Sequence, residues 1–156
     1  MADSSGYVLR PGEGRAIPMG AFTMSVKADD VVTAGAFALL EADEPPGFGP
    51  PMHSHEDAAE AFYVLAGEYL IFLRDEEFRC PAGSFVYIPA GVVHGFRVGD
   101  LPSRKLNLYS PAAMLTYFDG LSAAASTGRA LDDDELAELA RAARMRVLGP
   151  VPDGYA

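Results

Sequence analysis

The sequence predicts an all-β fold: one barrel or sandwich of short strands, followed by one or two C-terminal α-helices packed on it. Two observations carry this. Up to residue 110 the apolar runs are short and broken by Gly, Pro or charge clusters, as sandwiches and barrels require. After residue 110 the apolar spacing changes from alternation to a helical repeat.

Taken in order, strands are expected at Tyr7 to Arg10, Ala21 to Ala28, Thr33 to Ala42, Glu60 to Ala66, Tyr69 to Leu73, Glu77 to Cys80, Ser84 to Ile88, His94 to Val98 and Lys105 to Tyr109. Arg74-Asp75-Glu76 makes a polar hairpin tip, and the Pro- and Gly-rich run from Pro45 to Pro51 is a stiff loop at one lip of a pocket. Ser110 and Pro111 read as an N-cap and a first helical residue, leading into an apolar stripe of Met114, Tyr117, Phe118 and Leu121. A second helix starts at Asp132, with Glu135 completing a capping box and Leu131 and Leu136 placed as a hydrophobic staple. Leu136, Leu139, Ala140 and Ala143 share one face, and Arg141, Arg144 and Arg146 lie near the end where the helix dipole favours cations. Both stripes suit packing on the barrel; the alternative is that Met114 and Phe118 cap a pocket as a lid. Residues 1–110 are thus expected to form the barrel and 111–156 a helical segment of the same domain.

Composition fits one domain. At 156 residues, 49% of them hydrophobic, the chain can bury a real core. The single cysteine, Cys80, excludes an intramolecular disulfide, and with Pro81 beside it and no activating cue it reads as structural. The start Met-Ala-Asp-Ser-Ser-Gly has no basic, apolar leader pattern and no run is long enough to span a bilayer, so a cytoplasmic location is expected. A net charge of −10 argues against nucleic acid and membrane partners.

The chemistry lies in four side chains. Residues two apart on a strand face the same way, so His53 and His55 form a ready chelate. Glu60 opens a neighbouring strand whose same-face residues Phe62 and Val64 are apolar; a carboxylate on such an interior face needs a cation or a donor. A third histidine, His94, follows the Pro89-Ala90-Gly91 turn, where Pro89 fixes φ and Gly91 supplies a φ other residues resist. Three imidazoles and one carboxylate suit a divalent transition metal, without choosing among Fe, Mn, Ni, Co, Cu and Zn.

These residues resemble a known family. Gly47-x5-His53-x-His55-x4-Glu60-x6-Gly67 matches the first cupin motif, and Gly83-x5-Pro89-x-Gly91-x2-His94 matches most of the second. The chain is similar to a small single-domain cupin of the quercetinase-like branch, over residues 47 to 98, about a third of its length. One departure stands out: where the second motif often ends in Asn, this chain has Val98, an inward apolar residue that makes the pocket drier. The resemblance implies a jelly-roll barrel, His53, His55, Glu60 and His94 as metal ligands, and a homodimer in which Tyr7 to Arg10 joins a partner's sheet.

Phe62, Val64, Phe96 and Val98 are expected to line an apolar substrate cavity, with Asn107 as a polar donor and Met114 and Phe118 as its cover. Glu60 is either a fourth ligand or the base that removes a substrate proton. Tyr63 and Arg97 have outward parity, Tyr87 is a proton donor only if it faces inward, and no Lys or Arg occupies the motif position of a phosphate clamp. The expected function is a metal-dependent dioxygenase acting on an aromatic, flavonol-like or enediol small molecule. The alternatives are a non-oxidative metal-dependent cyclase, isomerase or dehydratase of a polyketide or keto acid, and a non-catalytic small-molecule binder.

Overall fold

The computed structural model describes residues 5–152. Most of the N-terminal start inspected for a leader, residues 1–4, and the end of the helical segment, residues 153–156, lie outside the described residues. The strands are β1 (Arg15–Pro18), β2 (Thr23–Ala28), β3 (Ala38–Glu44), β4 (Met52–His55), β5 (Ala59–Ala66), β6 (Glu68–Leu73), β7 (Glu76–Pro81), β8 (Phe85–Ile88), β9 (His94–Val98), β10 (Ser103–Ser110) and β11 (Met145–Gly149). Two helices, α1 (Leu115–Ser126) and α2 (Asp133–Ala142), precede β11. Among the described residues the strands form two antiparallel sheets, ordered β1-β2-β3-β10-β5-β8 and β11-β4-β9-β6-β7, the jelly roll expected. No described helix is long and apolar enough to cross a membrane.

Alternation along the strands builds the core. Phe62 and Val64 of β5, Tyr69 and Ile71 of β6, Val86 and Ile88 of β8, and Phe96 and Val98 of β9 form one buried cluster. Met24 and Val26 of β2 and Ala38, Leu40 and Ala42 of β3 form a second, closed by Leu115 of α1. Each large apolar side chain so buried contributes roughly 1.5–3 kcal/mol.

The differences from expectation have local causes. Tyr7 to Arg10 form no strand: they are exposed, and the Tyr7 hydroxyl donates to the Lys27 carbonyl. The first strand lies beyond the Pro11-Gly12 turn, at β1. The expected strand from Thr33 begins only at Ala38, because Asp29 folds the preceding residues into a turn. Its carboxylate accepts from the Val31 and Val32 N–H groups, and Thr33 Oγ1 donates to its carbonyl. Ser110 is not a helix cap. It is the last residue of β10, paired with Ala59, and its hydroxyl donates to the Ala36 carbonyl. The first helix therefore starts at Leu115, with Met114 as N-cap.

The start of α2 is as expected. Asp132 Oδ1 accepts from the Glu135 N–H at 2.8 Å, and Glu135 Oε2 accepts from the Asp132 N–H at 3.0 Å. Only Arg141 lies in its last turn. Arg144 turns the chain at φ 54, and the run from Met145 becomes β11, which pairs Met145 with His55 and Val147 with His53.

Gly67, between β5 and β6, has φ +74, and an added Cβ would lie 2.1 Å from Ser103 Oγ and 2.9 Å from the Pro102 carbonyl. Gly91 has a similar φ of +80 but open space around it. Gly67→Ala is expected to lower stability by about 2–4 kcal/mol through strain and overlap together, and Gly91→Ala by about 1 kcal/mol through strain alone. Urea denaturation of the two variants checks the difference.

Candidate metal centre

Two cross-strand relations assemble the site. His53 pairs directly with His94 in the β4–β9 ladder, and Glu60 enters from β5 in the facing sheet. The turn before His94 is tied to the first motif, since the Gly91 N–H donates to the His55 carbonyl at 2.7 Å. One ligating atom from each of His53, His55, Glu60 and His94 lies within 4.8 Å of the others, and all four side chains are buried.

The hydrogen bonds show which atoms face inward. His53 Nδ1 lies 2.7 Å from the Pro51 carbonyl and His94 Nδ1 lies 2.9 Å from the Val92 carbonyl. A carbonyl only accepts, so each Nδ1 carries hydrogen and leaves Nε2 as the ligating nitrogen of the neutral ring. His94 Nε2 and His55 Nε2 stand 2.6 Å and 2.8 Å from Glu60 Oε2. For a neutral His94 this would set a lone pair against a carboxylate oxygen, so the contact calls for a proton or a metal cation between them. His55 Nδ1 is buried without a hydrogen-bond partner. A set of acceptors facing one another, with an uncompensated imidazole nitrogen among them, fits a divalent ion.

The electrostatics agree. Desolvation and the neighbouring His94 push His53 down to about 4, so it is a neutral, ligand-ready imidazole at neutral pH. Burial opposes ionisation of Glu60, yet the hydrogen bonds and charges of His55 and His94 outweigh it and hold the carboxyl well below its usual range. Burial also opposes the charged form of His94, and the bond to Glu60 more than offsets it, leaving His94 raised.

Against His53 and Glu60 lies a cavity of about 730 Å³. Phe96, Asn107, Met114 and Phe118 line it together with His53 and Glu60. Phe62, Val64 and Val98 are inward as expected, but they belong to the packed core around Phe96 and do not line the cavity. Asn107 Nδ2 donates to Glu60 Oε1 at 3.0 Å. Tyr63 and Tyr87 are exposed on the outer face, and the Arg97 guanidinium reaches the Pro152 carbonyl. Cys80 is buried, and burial raises its thiol.

Among the buried polar residues that line this cavity, three were not among the expected ones: Glu44, Lys105 and Tyr109. Lys105, Asn107 and Tyr109 all face inward from β10, whereas Leu106 and Leu108, which look like its core face in sequence, are only half-buried. Tyr109 pairs with Glu60 across the β10–β5 ladder. Burial, the Glu60 charge and a hydrogen bond to Glu60 push its phenol far above the usual value.

His55→Ala is expected to lose the bound metal, read by elemental analysis, and to lower stability by about 2–4 kcal/mol. In the metal-free protein the lowered His53 contributes stability that is present above 6.5 and lost as pH falls towards about 4. The raised His94 contributes stability present below 6.5 and lost as pH rises through its folded value. Urea midpoints of the metal-free protein should therefore peak near pH 6.5, and His53→Gln should flatten the acid side alone.

Comparison with known proteins agrees with the fold. Residues 40–108 match the cupin domain family. Quercetin 2,3-dioxygenase of Bacillus subtilis (strain 168) is 28% identical over 112 residues, 72% of this chain and 33% of that protein, so the chain spans about a third of its curated relative. The polyketide cyclase RemF from Streptomyces resistomycificus is 25% identical with a TM-score of 0.57, over 67% of this chain and 79% of that one. An RmlC-like cupin from Shewanella frigidimarina NCIMB 400, 16% identical, shares the fold with a TM-score of 0.60 over 69% of this chain and 93% of that one. The two-sheet jelly roll, the inward His-x-His pair with its glutamate and third histidine, and the match of residues 40–108 to the cupin domain family together support one reading: a small cupin with quercetinase-like relatives.

Proposed function

We propose that this cupin is a metal-dependent dioxygenase acting on an aromatic, flavonol-like or enediol small molecule. The observation that carries the proposal is the convergence of His53, His55, Glu60 and His94, two of which, His53 and Glu60, line a largely apolar cavity of about 730 Å³. A bound divalent ion there supplies Lewis acidity to adjacent enol or phenol oxygens and, if redox-active, a route for electrons to O2.

The chain's own residues do the rest. Phe22, Phe48 and Phe96 form a run of ring contacts at 4.8 Å and 6.1 Å, an aromatic wall that suits a flat ligand and excludes water. Asn107 holds Glu60 Oε1, so Oε2, the oxygen that faces His55 and His94, is the one placed to take a proton from a substrate hydroxyl or carbon. Met114 and Phe118 close the cavity from the helical side.

A second reading is supported by the likeness to the polyketide cyclase RemF, 25% identical over 67% of this chain. In it the same carboxylate moves a proton in a non-oxidative cyclisation, isomerisation or dehydration.

Turnover of catechol, flavonol and polyketide-like compounds with and without O2 separates the two. The dioxygenase reading expects O2 uptake that stops on chelation; anaerobic turnover with Zn alone overturns it in favour of the second. Glu60→Gln should retain at least half of the metal yet lower kcat about 100-fold or more, since general base catalysis contributes on the order of 10²–10⁴. Unchanged kcat in that variant would make Glu60 a ligand only.

A further inference from the structure

Beyond the metal ligands the cavity holds a second polar group that the proposed chemistry does not use. Lys105 and Glu44 are 2% and 4% exposed, and the Lys105 ammonium donates to Glu44 Oε1 at 3.0 Å and Oε2 at 2.9 Å. The Tyr69 hydroxyl donates to Glu44 Oε2 at 2.7 Å. The ammonium lies 4.2 Å from the ring centre of Phe96, 5.2 Å from Tyr69 and 5.3 Å from Phe62. Apolar side chains of similar volume would stabilise this position at least as well, because desolvating both charges offsets most of their attraction. Yet both residues line the cavity shared with His53, Glu60 and Asn107.

We propose that the Lys105–Glu44 pair is a specificity site, which selects ligands carrying a hydroxyl group remote from the oxygens that face the histidine cluster. This rests on the reading of the cavity as the site of an aromatic metal chelator. The inventory of bonds sets the ligand's chemistry. An ammonium has three protons, and two are spent on Glu44. Among the described residues, Glu44 Oε2 accepts from both Lys105 and Tyr69, whereas Oε1 accepts from Lys105 alone. Among the described residues, one N–H donor and one oxygen lone pair of the same ion pair remain without a hydrogen-bond partner. A hydroxyl, which both accepts and donates, satisfies both; a carboxylate would satisfy the first and be repelled by the second. Spacing sets the ligand's length. Lys105 and Asn107 are two residues apart on the inward face of β10, about 7 Å along the strand, and Asn107 holds Glu60. That span suits a fused pair of six-membered rings.

The test uses the full chain loaded with Zn, which binds ligand without redox turnover, and two probes, 3-hydroxyflavone and 3,7-dihydroxyflavone. Both chelate through the same hydroxyketone and differ by one distant hydroxyl. Titration should show the dihydroxy compound binding about tenfold tighter or more, as expected when a buried donor and acceptor are otherwise left unpaired. The double variant Lys105→Met with Glu44→Gln buries no charge; its metal content should be retained and its preference should fall to within about twofold. Equal affinities in the unaltered protein, or a preference surviving in the double variant, overturn the specificity site alone. Failure of both probes to bind overturns it together with the aromatic-chelator reading.

Discussion

A single carboxylate organises this molecule. Glu60 comes from the six-stranded sheet, whereas the histidines it faces belong to β4 and β9 of the other. An ionised carboxylate in the interior costs several kcal/mol unless its charge is answered. Here the answer comes from across the barrel, so the two sheets are joined by charge as well as by the aromatic core. A divalent ion at the same place would make that joint stronger and would need no rearrangement of Asn107, which already holds the other oxygen.

The site was legible in the sequence because it depends on strand parity and short spacings. His53 and His55 two apart, Glu60 in step with Phe62 and Val64, and His94 behind a Pro-x-Gly turn allow only one sensible arrangement once the strands are placed. What escaped was longer in range. On β10 Lys105 and Tyr109 point inward beside the expected Asn107, while Leu106 and Leu108 lie on the half-buried outer side, the reverse of what hydrophobicity implies. Parity along one strand does not reveal which face is inside when the interior is itself partly polar. Residues around Ser110 show local preference losing to tertiary pairing: a good cap-and-proline signal was absorbed into the end of a strand. The run from Met145 was too short to separate from the helix before it, and only its ladder with β4 makes it a strand.

The interior face of β10 sets the character of the cavity. From Tyr109 through Asn107 to Lys105 it carries a file of polar side chains through an otherwise aromatic space, each bonded to a group on another strand. Satisfied polar groups of this kind fix side-chain positions more sharply than apolar packing does. The Lys105 ammonium against the Phe96 ring shows both effects in one contact.

Because α2 runs through a single turn into β11, and β11 is bonded along its backbone to the strand bearing His53 and His55, the helical side of the cavity is tied directly to two of the clustered imidazoles. Tension or slack introduced anywhere along that stretch is transmitted mechanically to the imidazoles. Tail and barrel therefore share one geometric tolerance, and grafting a different tail onto this barrel means rebuilding the edge that steadies His53 and His55.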